Sequence, residues 1–361
     1  MTESTPRLYA GEQLDEAAGF PTLYNYFPAD PNKPLVVFIP GGGHNARVAY
    51  GGHEGYEEKN FLAHWLNSHG HGLLAISYPI ESEPEIIPAI APHFRIRDWG
   101  KQAAEVTHRI IEKHGLPNQV VLIGWSMGGR IMIPYSAHAN SLGIEVALFV
   151  SFAATPGIHG SRSPPPGVTS TAAGYATATN LYKMFTSQVQ DQNEQWNNGR
   201  TIVSEEVYLR EYTGYTPVSL LGWNYRHDAE NRQFVADYWT STEDAIVHEA
   251  DHCPMIATLG GTSPLDARHV ITDQATWSFV LTRKLMHEIE THDVAKIAEK
   301  GNWNKLIEMV HSLPSQISYL IPGNHFFFMG EPGARKTAEV IVQHLEKANK
   351  FKREFDALLN R

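Results

Sequence analysis

Val120-Val121-Leu122-Ile123-Gly124-Trp125-Ser126-Met127-Gly128-Gly129-Arg130 joins an apolar strand, a Gly-x-Ser-x-Gly turn and a helix-like run. A sharp strand-to-helix turn forces its serine into a strained backbone conformation and lifts the hydroxyl clear of the sheet edge. Glycines two positions before and two after leave room for that turn. The five-residue motif recurs by chance, but a strand before it and a helix after it mark Ser126 as a candidate nucleophile rather than part of an inert glycine turn. Of its neighbours, Trp125 is a candidate substrate contact and Met127 a candidate backbone N–H donor.

Around this stretch, short apolar runs bounded by glycine and proline alternate with longer amphipathic segments, the rhythm of crossover units about a mostly parallel sheet. Strands are expected at Leu35 to Ile39, Leu73 to Tyr78, Val120 to Ile123, Ala147 to Phe152, Met255 to Leu259 and Ile317 to Ile321. Their continuous apolar character suits central strands covered on both faces. Helices are expected at Glu58 to Ser68, Asp98 to His114, Met127 to Ala139 and Ala334 to Leu359, with Asp98 as a cap and Gly115 as a stop. The rhythm fails between Thr155 and Asp251. That stretch opens on the turn-rich Ser163-Pro164-Pro165-Pro166-Gly167 and is crowded with aromatics, among them Phe185, Tyr208, Tyr212, Trp223 and Trp239. It reads as a mainly helical cap (155–251) inserted into a core built from 1–154 and 252–361. Most of its aromatics would form its own core and a few would line a pocket. A second helical insertion, roughly Thr272 to Leu313, separates the last two strands.

A serine hydroxyl needs a base to take its proton. His325, in Ile321-Pro322-Gly323-Asn324-His325-Phe326 after the final strand, sits in a loop on the same rim as the nucleophile turn. The tetrahedral intermediate needs preset N–H donors, and the glycines in Phe38-Ile39-Pro40-Gly41-Gly42-Gly43-His44-Asn45 let backbone amides approach it. One donor is assigned to Met127 and the other to Gly42, with Gly43 as the alternative. The loop lacks the Gly-Lys-Ser/Thr ending of a phosphate cradle. His44 and Asn45 either meet substrate or brace the loop.

In this order, the glycine loop, the Gly-Trp-Ser-Met-Gly-Gly turn and the late Pro-Gly-Asn-His resemble the α/β-hydrolase superfamily. The resemblance implies an eight-stranded sheet, a cap after the sixth strand and an acid in the loop after the seventh. Asp266, in Gly260-Gly261-Thr262-Ser263-Pro264-Leu265-Asp266, lies in that loop. It comes late after its strand and further ahead of the histidine than the family usually shows. Asp251 precedes the strand and Asp273 follows a further turn, and Asp266 could instead cap the next helix.

A serine with an oxyanion hole suits acyl transfer to water from an ester, lactone or thioester, and the aromatic cap suggests an apolar or aromatic small-molecule substrate. Carbon–carbon bond hydrolysis and acyl transfer to another acceptor use the same triad. A silent hydrolase fold that binds a ligand is the alternative from another class.

The formal net charge of −10, from 29 basic and 39 acidic residues, offers no basic stripe for nucleic acid. No apolar run approaches the roughly 20 residues of a membrane helix, and no secretory signal is visible. With its single cysteine, Cys253, read as a small core residue, the chain is expected in the cytoplasm. No motif calls for a cofactor. His64, His69 and His71 are too divergent in direction for a metal site. A homo-oligomer is left open.

Overall fold

In the computed structural model, which describes residues 7–157, 167–177 and 179–359, eight strands form one sheet in the order β1-β2-β4-β3-β5-β6-β9-β10. These are β1 Glu12–Ala17, β2 Phe20–Phe27, β3 Leu35–Ile39, β4 Leu73–Ser77, β5 Gln119–Trp125, β6 Glu145–Phe152, β9 Ile256–Gly260 and β10 Ser318–Leu320. Every pairing from β4 across to β10 is parallel, and β2 joins antiparallel to β1 and β4. Most of the apolar runs that announce strands are therefore central ones, and β3 and β4 are buried at every position; the Ile317 to Ile321 run instead forms the edge strand β10, where Tyr319 and Leu320 are exposed. Each buried Val, Leu, Ile or Phe of β3 and β4 contributes about 1.5–3 kcal/mol by leaving water.

The hairpin β1–β2 was not expected. β1 is an edge strand with four exposed residues in the middle, so it carries no hydrophobic signal.

Helices α1 Leu62–Ser68, α2 Ile96–His114, α3 Met132–Ser141 and α10 Glu331–Leu359 accompany the sheet. α2 begins two residues before the expected Asp98. That side chain reaches back to accept from the Arg95 N–H at 3.1 Å, and Gly115 ends the helix in the left-handed region, φ 62°. Between β6 and β9 lie α4 Thr179–Asp191, α5 Glu205–Glu211, the hairpin of β7 Tyr225–Asp228 with β8 Gln233–Ala236, and α6 Tyr238–Asp244. The Ser163-to-Gly167 turn falls, except for Gly167, outside the described residues. Between β9 and β10 lie α7 Ala267–Glu290, α8 Val294–Glu299 and α9 Trp303–Gln316.

Register sets the working edge. Ile39 pairs with Gly124, Trp125 with Phe152 and Leu320 with Gly260, so the loops leaving β3, β5, β6, β9 and β10 share one rim. That is the edge where open parallel sheets gather ligand-binding loops.

Candidate active site

The turn after β5 is as tight as its sequence suggested. Ser126 has φ 52°, a left-handed conformation unusual for a non-glycine residue, and a short 3-10 turn, Ser126–Ile131, leads into α3. The flanking glycines allow this. A Cβ on Gly124 would fall 2.8 Å from the Gly128 oxygen, and one on Gly128 would fall 2.8 Å from the Ile39 oxygen.

His325 follows β10 and is almost wholly buried. Its Nδ1 lies 3.0 Å from Asp266 Oδ2, at the end of the loop after β9. Asp266 stands at the start of α7 but makes no capping bond there; its carboxylate is directed at the imidazole. Burial works against the ionised carboxylate. The charge and hydrogen bond of His325, with His269 and Arg268 nearby, outweigh burial and hold the Asp266 pKa below the ordinary carboxylate value.

Because Nδ1 is engaged by the acid, Nε2 is the nitrogen left to face the nucleophile, and Ser126 and His325 line one cleft of about 410 Å³. Among the described residues Ser126 Oγ makes no hydrogen bond to His325. Catalytic hydrogen bonds commonly tighten only when substrate binds.

The glycine loop after β3 lies against the nucleophile, and a Cβ on Gly41 would sit 2.8 Å from Ser126 Cβ. The Gly41 carbonyl accepts from Tyr78 Oη at 3.1 Å and from the His44 N–H at 3.3 Å. In a trans peptide the carbonyl and the following N–H point oppositely, so this pinning aims the Gly42 N–H the other way. Gly42 lines the cleft beside Met127, whose own N–H, at the start of the 3-10 turn, has no partner within that turn.

Gly43 does not fit the donor role. Its N–H is already given to Thr216 Oγ1 at 2.8 Å and Tyr78 Oη at 3.1 Å. The three substrate contacts expected from sequence also lie outside the cleft lining. His44 is buried between the Gly42 oxygen, 2.9 Å from its Nδ1, and the Tyr208 hydroxyl, and burial drives its pKa down to about 3. Asn45 caps the turn Ala46–Ala49 and donates to the Glu211 oxygen at 2.8 Å. Trp125 is fully buried and donates to the His325 carbonyl at 3.0 Å, bracing the histidine loop from below. His44 and Asn45 are tied to Tyr208 and Glu211 of the 155–251 insertion, whereas Trp125 is tied to the histidine loop, so all three brace the site.

Of the insertion's aromatics, Phe185 and Trp223 line the cleft with Ser126, together with residues the sequence did not single out as site residues: Met184 and Gln188 of α4, Leu221, Arg130 and His269. α4 is fastened to the histidine loop, since Asn324 Nδ2 donates to the Gln188 oxygen at 2.6 Å and to Asp191 Oδ2 at 2.8 Å. His269 Nδ1 is held by both oxygens of Asp273 at 3.0 Å, and its ring centre is 5.2 Å from that of His325. The signal was present as His269-x-x-x-Asp273, an i, i+4 pair on a helix directly after the acid loop. Asp266, His269 and His325 bring their ligand atoms within 4.8 Å of one another, as a metal site would. Asp266 with His325 and His269 with Asp273 already satisfy one another. Cys253 is buried, its thiol pushed up to about 12 by burial, and is not among the residues lining this cleft.

Residues 36–274 match the alpha/beta hydrolase family, and the chain belongs to it. Among solved structures it is similar to a candidate lipase from Sulfolobus solfataricus, at 12% identity over 94% of this chain and 99% of that one, with a TM-score of 0.51. It is also similar to an esterase from Rhodococcus sp. ECU1013, at 13% identity over 94% and 99% with a TM-score of 0.49. An esterase from Pyrobaculum calidifontis aligns at 13% identity over 93% and 84%, with a TM-score of 0.46. No curated protein matches the sequence. Family membership supports hydrolase chemistry. Among the described residues no helix is long and apolar enough to cross a membrane.

Proposed function

We propose that the protein hydrolyses a carboxylic ester, lactone or thioester of an apolar or aromatic small molecule through an acyl-Ser126 intermediate. The observation that carries this reading is the strained Ser126 turn in one cleft with an imidazole whose far nitrogen is held by a buried carboxylate.

His325 Nε2 takes the proton from Ser126 Oγ as the oxygen attacks the substrate carbonyl. Asp266 holds the ring in the tautomer with Nδ1 protonated and stabilises the imidazolium. The carbonyl oxygen becomes an oxyanion and receives the N–H groups of Gly42 and Met127. His325 then returns the proton to the departing alcohol or thiol. A water, deprotonated by the same nitrogen, attacks the acyl carbon, and collapse of the second intermediate restores Ser126. Met184, Phe185, Leu221, Trp223 and Leu265 supply the apolar walls of the cleft.

The test is a series of 4-nitrophenyl esters with straight-chain and aryl acyl groups, assayed with the native protein and with Ser126→Ala. Release of nitrophenol by the native protein alone supports the reading. Equal release by both proteins, or by neither while folded, rejects it.

A further inference from the structure

Two buried arginines are treated differently by this fold. Arg47, fully buried, is matched by Glu12 on both sides of its guanidinium, Nε and Nη2 each donating at 2.7 Å, and it stacks on the Tyr9 ring. Arg130, four residues after the nucleophile, is only 3% exposed and has no such match. Its Nη1 donates to the Leu220 carbonyl at 2.9 Å, whereas Nε is buried without a partner and no acceptor meets Nη2 among the described residues.

The acid whose charge acts on it, Asp244, is bonded instead to Arg95 at 2.6 and 2.7 Å. Burial pushes the Arg130 pKa down to about 10, so the group stays charged at neutral pH. A buried, uncompensated charge is costly, and folds retain one where a ligand completes it.

The unpaired Nε–Nη2 edge is the one that takes a carboxylate side-on through two parallel N–H bonds. Arg130 lines the same cleft as Ser126 and His325. Arg268, at its wall, adds a second positive charge and donates to Thr155 Oγ1 at 3.1 Å. Among the described residues, Asp266 is the one carboxylate lining the cleft, and it is engaged by His325. In a chain of net charge −10, this cleft is locally positive.

We propose that Arg130 is a substrate-binding residue that pairs with a carboxylate carried by the substrate away from the scissile bond, so that the preferred substrates are carboxylated esters. This rests on the hydrolase reading for the fate of the bound molecule, but the pairing itself does not depend on turnover. A second, small cavity bordered by Met132, Ile133, Pro156, Phe279 and Val280, with Arg283 and Lys284, also reaches Arg130.

The experiment compares 4-nitrophenyl pentanoate with mono-4-nitrophenyl glutarate, which differ by the terminal carboxylate. Binding is measured by calorimetry to Ser126→Ala, and turnover by kcat/KM with the native protein. The carboxylated ester is expected to bind about tenfold to a hundredfold more tightly, with the preference lost in Ser126→Ala/Arg130→Met and reduced in Ser126→Ala/Arg130→Lys.

Removing an uncompensated buried charge is also expected to leave the melting temperature of Arg130→Met at or above that of the parent, which a purely structural arginine would not do. If Met fails to fold, the Lys variant carries the comparison. Equal affinity for the two esters, or a preference that survives in both Arg130 variants, overturns the carboxylate site. Failure of the native protein to turn over either ester while the affinity difference persists counts against the hydrolase reading alone.

Discussion

Asp266 Oδ2 and His325 Nδ1 lie 3.0 Å apart although 59 positions separate the two residues in the chain. The intervening helices α7, α8 and α9 leave from the end of the acid loop and return at β10, so the insertion lengthens the chain without separating the pair. β9 and β10 are neighbours in the sheet, with Leu320 opposite Gly260, and this register brings the acid and histidine loops together.

Two acids approach two imidazoles here, and their exchange to amides should separate them. Asp266→Asn is expected to lower kcat about 10⁴-fold, because the amide favours the wrong imidazole tautomer. Asp273→Asn, which acts on His269, should cost less than about tenfold. Steady-state kinetics on one ester checks both, and the reverse order would reassign the acid.

The Asp266 pKa is lowered in the folded protein, so its ionised form stabilises the fold. That contribution is present above the unfolded carboxylate value, near pH 4, and is lost as pH falls through the lower folded value. As pH falls below about 4 the unfolding free energy of the native protein should therefore fall more steeply than that of Asp266→Asn, as urea titrations at stepped pH would reveal.

Ser126 at φ 52° stores strain that glycine would not feel. Ser126→Gly is expected to abolish ester hydrolysis while raising stability by about 1 kcal/mol, read as a higher denaturation midpoint. Loss of stability in this variant would mean that the turn is not strained in solution.

Tyr78 is not among the residues lining the cleft, yet its hydroxyl pins the Gly41 carbonyl and receives the Gly43 N–H. Tyr78→Phe should loosen the aim of the Gly42 amide and reduce kcat about tenfold to a hundredfold with little change in KM. A change confined to KM would place the effect in substrate binding.

Away from the chemistry, Arg47 links the β1 edge strand, through Glu12, to Glu211 at the end of α5. Glu12→Gln leaves a buried guanidinium short of its counter-charge and is expected to destabilise the protein by about 3 kcal/mol in chemical denaturation.

How much of this was legible in the sequence followed burial. β3 and β4, buried throughout, were found to within a residue, whereas β1, an edge strand with charged exposed positions, left no pattern. Ser126, His325 and Asp266 stood out because each follows a strand whose end lies on the shared rim. For His44 and Asn45 the sequence left substrate contact and bracing open, and for Trp125 it pointed to substrate, since proximity in sequence to a nucleophile or glycine loop does not reveal which way a side chain faces. Arg130 stood within the motif itself. Its importance depends on lacking a partner, a property of three-dimensional packing that sequence spacing does not express.

The most direct test of an activated serine is a fluorophosphonate probe followed by proteolysis and mass spectrometry of the adduct. One adduct on Ser126, absent from Ser126→Ala and strongly reduced in folded His325→Ala, is the predicted result. An adduct on another serine, or an unlabelled native protein that also leaves small esters intact, would contradict the account.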